Sequence, residues 1–154
     1  MSESYENPIA YINIEWKGIY DALCKGGDSI FDQSGSLFTL CSTIGHLNQE
    51  SKNFDKKHAA FRWTNLNQQT EVTILSAIAW DAYNRDLSVL VDKKKIITIA
   101  MEFAESGMQY LFDNFFGDYI LDGQLLRPEK LDIEFNIAQL IEGLRRQKNV
   151  FNDS

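Results

Sequence analysis

From Ile97 onward, Ala100, Ala104, Gly107 or Met108, Leu111 and Phe115 fall three or four residues apart, tracing one helical face for more than five turns. Ile96, Ile99, Phe103 and Phe112 broaden that stripe beyond what a single neighbour can cover, which predicts a central helix packed on more than one side. Asp92 stands where a carboxylate can cap the first turn, and Gly107, lacking a Cβ, lets another backbone come close. A chain that must cover so long an apolar rod is committed to packing helices around it.

The rest of the pattern supplies those helices. Trp16, Ile19, Tyr20 and Leu23 predict a helix over residues 15–25 that stops at Gly26-Gly27, with Ile12 and Ile14 before it as a short strand. Leu37, Leu40, Cys41 and Ile44 predict a second helix, with Ser34 or Ser36 as N-cap and Gly45 in the left-handed position after its end. Residues 47–55 read as a polar loop, and Phe61 and Trp63, two apart, have the strand period. A third helix runs from Gln68 through Val72, Leu75, Ala79 and Ala82. Tyr83-Asn84-Arg85-Asp86 breaks it ahead of the apolar piece Leu87 to Val91. After the glycine-containing stretch 117–127, Pro128 opens a last helix over residues 129–147, carrying Ile133, Ile137, Leu140, Ile141 and Leu144. The expected fold is therefore mainly α: a compact helical bundle of about five helices in one domain spanning 1–154, with room for a short two-stranded element and with residues 1–10 and 149–154 frayed.

Charge and cysteine usage narrow the function. Fifteen basic against 22 acidic residues leave a formal net charge of −7, so the whole-molecule field repels a phosphate backbone. Both cysteines, Cys24 and Cys41, lie on apolar helix faces, where reduced structural thiols belong, and this points to a cytoplasmic protein. Residues 1–15 do not read as a secretory leader, and no apolar run reaches the roughly 18 residues a membrane helix needs, so no membrane partner is expected.

No set of residues amounts to an active site. Cys24, Cys41, His46 and His58 are the soft and imidazole ligands, but separations of 17, 5 and 12 residues lack the CxxC pair of a compact zinc site, so no metal is expected. Cys41 and His46 are five apart, which turns them to different faces of one helix and argues against a thiol–imidazole pair. Asp92-Lys93-Lys94 resembles half of a metal-dependent nuclease motif without its partner carboxylate, and reads as a helix cap with a solvated first turn. Gly26-Gly27 and Gly35 form no phosphate-cradling pattern. A non-enzyme without cofactors is the expectation.

Two surfaces are candidates for binding. Lys52, Lys56, Lys57 and Arg62 surround Phe54, Phe61 and Trp63, combining cations for phosphates with rings for bases, as a nucleic-acid groove does; the competing reading makes Phe61 and Trp63 core. The stretch 113–142 holds seven acids against Arg127 and Lys130, and Asp113, Phe116, Asp118, Tyr119 and Asp122 form an acidic-aromatic surface for a partner, unless those rings close the core instead.

The run Leu37-Phe38-Thr39-Leu40-Cys41-Ser42-Thr43-Ile44-Gly45-His46 is one of several stretches with a family likeness. The others are Phe61-Arg62-Trp63, the alanine-containing helix into Leu87 to Leu90, and Phe103-Ala104-Glu105-Ser106-Gly107-Met108 with Leu111. Together they resemble the small proteins called DNA phosphorothioation (Dnd) system-associated protein 4. The likeness covers residues 16–116. It implies a bacterial cytosolic accessory of a defence island in which DNA sulfur modification marks self and a restriction complex attacks unmarked DNA. It implies no catalytic residue. This chain departs from the family pattern in a longer loop at residues 48–57 and an extra helix after Pro128.

The reading is a non-enzymatic accessory or adaptor of a DNA-modification-linked antiphage system. Its partners would be other proteins of that system, with self-association left open and DNA met through a complex. The alternatives are a nucleic-acid-contacting module built on residues 52–63 and a small acidic antitoxin or regulator.

Overall fold

In the computed structural model, residues 6–25 and 31–115 are described, together with residues 120, 121, 124, 125, 138, 139 and 142. The long apolar stripe forms helix α4, Lys93–Asn114, and Asp92 caps it by accepting a hydrogen bond from the Lys95 amide at 3.1 Å. Ile96, Ile97, Ala100, Met101, Ala104, Met108 and Leu111 are all buried, so α4 is the central rod around which the other elements assemble.

Helix α2, Ser34–Leu47, lies against α4 with the two backbones almost touching. A Cβ on Gly107 would fall 1.8 Å from the Cys41 carbonyl oxygen, and one on Gly45 would fall 2.1 Å from the Phe103 carbonyl oxygen. Ser42 Oγ donates across the contact to the Ala100 carbonyl at 3.0 Å, and Ser106 Oγ lies in hydrogen-bond reach of the Phe103 and Glu50 carbonyls. The Lys52 amide, donating to the Glu102 carbonyl at 2.9 Å, fastens the loop after α2 to the same helix.

Gly45 therefore does not end α2, as its sequence position suggested. It is an interior helical residue spent on close packing, and the left-handed position falls to Gln49 at φ 54°. There the Gln49 amide bonds the His46 carbonyl and the Glu50 amide bonds the Gly45 carbonyl, both at 3.0 Å, the Schellman pattern for closing a helix end. Nor do Ser34 and Ser36 cap the start; both are helical, and Gln33 precedes them without a side-chain cap.

Strand β1, Ile9–Asn13, pairs antiparallel with β2, Lys57–Arg62, with Ile9 opposite Arg62 and Asn13 opposite Lys57; a bulge at Ala10/Tyr11 leaves Ala60 unpaired. The ribbon lies on α4, and the alternation puts Ala10 and Ile12 into the core. Ile9 and Ala10, expected to fray, are held because this pairing buries Ala10 completely. Ile14 belongs not to the strand but to a 3-10 turn, Ile14–Trp16, which leads into α1, Lys17–Cys24. The junction is tied to α4 by Glu105, whose carboxylate accepts from Asn13 Nδ2 at 3.1 Å and Trp16 Nε1 at 3.0 Å.

Helix α3, Glu71–Ala82, starts later than the periodicity suggested, because Asn67 Oδ1 takes the amides of Gln69 and Thr70 and holds residues 67–70 as a turn. It buries Leu75, Ile78 and Ala79 while Ala82 is exposed. Asn84 and Arg85, at φ 56° and 58°, turn the chain into a 3-10 segment, Leu87–Val91. A second antiparallel pair, β3 (Ile120–Leu121) with β4 (Gln124–Leu125), was not foreseen; β4 lies beside α1. The expected last helix over 129–147 lies outside the described residues apart from 138, 139 and 142, which are helical. Mainly α with two short two-stranded antiparallel elements is the architecture, with four α-helices among the described residues.

Because the atoms that a new methyl would strike at Gly45 and Gly107 are backbone, relief requires the helices to move apart. Gly45→Ala and Gly107→Ala are each expected to destabilise by about 1–3 kcal/mol in urea unfolding, and Gly107→Leu by more.

Candidate functional site

Beside α4 the two-stranded ribbon leaves a cleft of about 490 Å³. Strand β2 contributes Lys57 from its first position and Arg62 from its last, while the first turns of α4 contribute Lys94, Ile97, Thr98 and Met101. Residues 6–9 and Tyr11 complete the lining. Arg62 is held from two directions: its Nη1 donates to the Asn7 carbonyl at 3.3 Å, and its amide donates to Asn65 Oδ1 at 2.9 Å. Asn7 is fixed in turn by accepting the Thr64 amide at 3.0 Å. Among the described residues no carboxylate forms an ion pair with Lys57, Arg62 or Lys94, so three cations face the cleft against the single acid Glu6.

Of the basic segment read from the sequence, the structure keeps the charges together only in part. Lys57 and Arg62 share the cleft. Lys52 is on the loop after α2, 3.5 Å from Glu50, and Lys56 is exposed just before β2. Trp63 is a correction: it begins a 3-10 turn, is 4% exposed and belongs to the core, so its ring is not offered to a base. Phe61 is half-buried, packed edge-on against Phe38 at 5.0 Å. The rings that chain order placed among lysines are turned inward because the ribbon needs one apolar face against the helices.

On the proposed partner surface, Asp113 is exposed in the last turn of α4 and accepts a hydrogen bond from Gln109 at 2.9 Å. Phe116, Asp118, Tyr119 and Asp122 lie outside the described residues. The apolar surface that the structure does display is elsewhere. On the 3-10 segment Val89 is buried, while Leu87, Leu90 and Val91 are 69%, 42% and 78% exposed. Ile74 and Tyr83 are exposed on and just after α3, and Lys95 Nζ sits 3.5 Å from the centre of the Tyr83 ring. The apolar run was legible in the sequence; that most of it faces outward was not, because a five-residue run carries no helical or strand period long enough to show a face.

Cys24 and Cys41 are both buried and unpaired. Burial pushes the Cys24 thiol up to about 12, and pushes Cys41 well above its ordinary range against a partial offset from its hydrogen bond with Tyr20. Neither forms the thiolate that nucleophilic chemistry needs near neutral pH. His46 turns away from Cys41: its Nε2 lies 2.8 Å from Asp81 Oδ2 and its ring meets Phe103 edge-on at 5.5 Å, bridging α2 to α3. Ser51 lines the same small cleft as His46 and Asp81, but among the described residues its hydroxyl makes no hydrogen bond to the imidazole. Asp92 is a helix cap, and no three His, Cys, Asp or Glu side chains converge as metal ligands among the described residues. No helix among them is long and apolar enough to cross a membrane.

Compared with protein-family models, curated proteins and solved structures, the chain finds no match in any of the three.

Two measurements follow from this geometry. Both thiols should stay largely unmodified by an aromatic disulfide reagent at pH 8 in the folded chain and react fully after unfolding. The hydrogen bond from His46, assisted by Arg85, holds the Asp81 carboxyl below its usual range, so the stability it contributes is present above about pH 4 and is lost as the pH falls through its lowered folded value. As the Asp81 side chain is 42% exposed, Asp81→Asn should destabilise by less than about 1 kcal/mol at pH 7, with the difference from the parent closing near pH 2.

Proposed function

We propose that this chain is a non-enzymatic accessory protein of a bacterial DNA-modification-linked antiphage defence system, cytoplasmic, acting as an adaptor through protein–protein contacts. One observation carries the adaptor role: a short 3-10 segment anchored by Val89 presents Leu87, Leu90 and Val91 to solvent directly before the triple-lysine start of α4. A large exposed aliphatic group on a braced turn has no folding role to explain it, and it suits a pocket on another protein, whose acidic rim would face Lys93. The brace is specific. Asp86 accepts the Ser88 amide at 2.9 Å, and Asn84 and Arg85 hold left-handed backbone that sets the direction in which the segment leaves α3.

The defence setting rests on the resemblance of residues 16–116 to the Dnd-associated family, and the companions it suggests are the sulfur-transfer and restriction proteins of such an island. The absence of an enzymatic role is supported by buried, high-pKa thiols and by an imidazole–carboxylate pair spent on bridging two helices. The nucleic-acid alternative loses its stacking half with Trp63 in the core.

Co-expression with the products of adjacent genes tests the reading. The chain should co-purify with a sulfur-transfer or restriction protein. The Leu87→Asp, Val91→Asp variant should keep its melting temperature yet lose at least about tenfold in affinity, as loss of a central apolar anchor does. A chain that elutes alone, from cells whose phage resistance is unchanged when its gene is deleted, would sink the proposal.

A further inference from the structure

The cleft between the ribbon and α4 is not used by the adaptor reading, and its chemistry is specific enough to name a ligand class. Its volume of about 490 Å³ falls in the range that holds a small organic molecule. Arg62 and Lys94 lie at one end of the cleft, where Ile9 pairs with Arg62 and the neighbouring Lys93 reaches over the Trp63 ring, while Lys57, opposite Asn13, lies at the other end. Two cations at that end without a paired carboxylate among the described residues, one of them a guanidinium, suit a phosphate group, and Glu6 is the one acid in the lining. Arg62 is pre-positioned by its bond to the Asn7 carbonyl, which leaves its other guanidinium donors free for oxygens.

The remaining walls are of a different character. Ile9, Ile97 and Met101 give an apolar floor, Tyr11 brings a ring with a hydroxyl, and Thr98, whose hydroxyl donates to the Lys94 carbonyl at 2.9 Å, retains an oxygen able to accept. A flat, weakly polar body joined to a short polyphosphate matches both halves. We propose that this cleft binds a free nucleotide carrying two or more phosphates, its base over Tyr11 and Met101 and its phosphates on Arg62 and Lys94.

The net charge of −7 selects between free and polymeric ligands. Within roughly 8 Å, the screening length at physiological ionic strength, a nucleotide in the cleft feels chiefly the local cations, whereas a strand running beyond it meets the acidic remainder of the molecule. This inference stands apart from the adaptor proposal, since the exposed 3-10 segment contributes nothing to the cleft lining.

Titration calorimetry of the purified full-length chain with adenosine diphosphate, adenosine, pyrophosphate and a short single-stranded oligonucleotide tests it. Adenosine diphosphate should bind with a Kd of about 10–500 μM, and adenosine and pyrophosphate each at least about tenfold more weakly. Arg62→Gln and Lys94→Glu should each weaken that binding about tenfold or more, and Thr98→Trp should do the same by filling the cleft with its charges intact. Lys52→Glu, outside the cleft, should change it less than about twofold, with melting curves confirming that every variant is folded. No heat with millimolar adenosine diphosphate would overturn the proposal, as would pyrophosphate binding as tightly as the nucleotide, or loss in Lys52→Glu equal to that in Lys94→Glu. An oligonucleotide that binds more tightly than the nucleotide and competes with it would overturn the assignment to a free ligand.

Discussion

The contact of α2 with α4 is the constraint from which the rest of this structure is arranged. At Gly45 and Gly107 the opposing carbonyls occupy the space a methyl group would take, so the two helices sit at backbone distance instead of side-chain distance. Such proximity puts Ser42 in reach of the Ala100 carbonyl and Ser106 in reach of the Glu50 carbonyl, satisfying two buried hydroxyls that would otherwise be costly in a core. It also sets the depth at which Phe38, Leu37, Ile44, Ile96 and Leu111 fill the remaining volume. With α2 fixed, α3 packs across both helices and the ribbon lies on another side of α4.

The position of the ribbon follows from the same helix. Glu105, two residues before Gly107, accepts bonds from Asn13 and Trp16 and so anchors the end of β1. The other end of the ribbon is held by backbone, with the Trp63 amide donating to the Pro8 carbonyl at 3.0 Å. Between these anchors the strands stand off the first turns of α4, and the gap becomes the cleft. Lys57 and Arg62 occupy opposite ends of β2 and so opposite ends of the cleft, and Lys94, in the exposed part of the α4 first turn, joins the Arg62 end. A strongly acidic chain thereby acquires a locally positive recess. Net charge describes the far field, and a recess bounded by protein is governed by its nearest groups.

Function divides along the same lines. The thiols and the imidazole of His46 are drawn into holding the core and the α2–α3 seam, and what is left facing outward is an aliphatic turn on one element and a cationic cleft on another. A turn of this kind suits binding to a protein surface, and a cleft of this kind suits a small anion. They rest on different residues and can be lost separately.

Periodicity was enough to place α4 and its cap, because twenty residues of one face are a signal no local exception erases; Asp92 and Gly107 have the roles their positions suggested. It was enough, too, to make the cysteines core residues. It misassigned Gly45, since a glycine near a helix end looks the same whether it serves a left-handed cap or a close neighbour, and the neighbour lies some sixty residues away in the chain. It offered Trp63 to a ligand because charged residues adjacent in sequence surround it, whereas strand alternation and the turn at residues 63–65 send the ring inward and leave the charges outside. Lys94 was set aside as solvated, and its place in one cleft with Arg62 depends on how the ribbon is laid across α4, a long-range packing choice without a local trace. The sequence by itself determined the helical class and the central rod, because local spacing dictates which face must be buried. Tertiary structure alone decided which charges meet and which apolar residues remain outside, because both depend on distances between segments far apart in the chain.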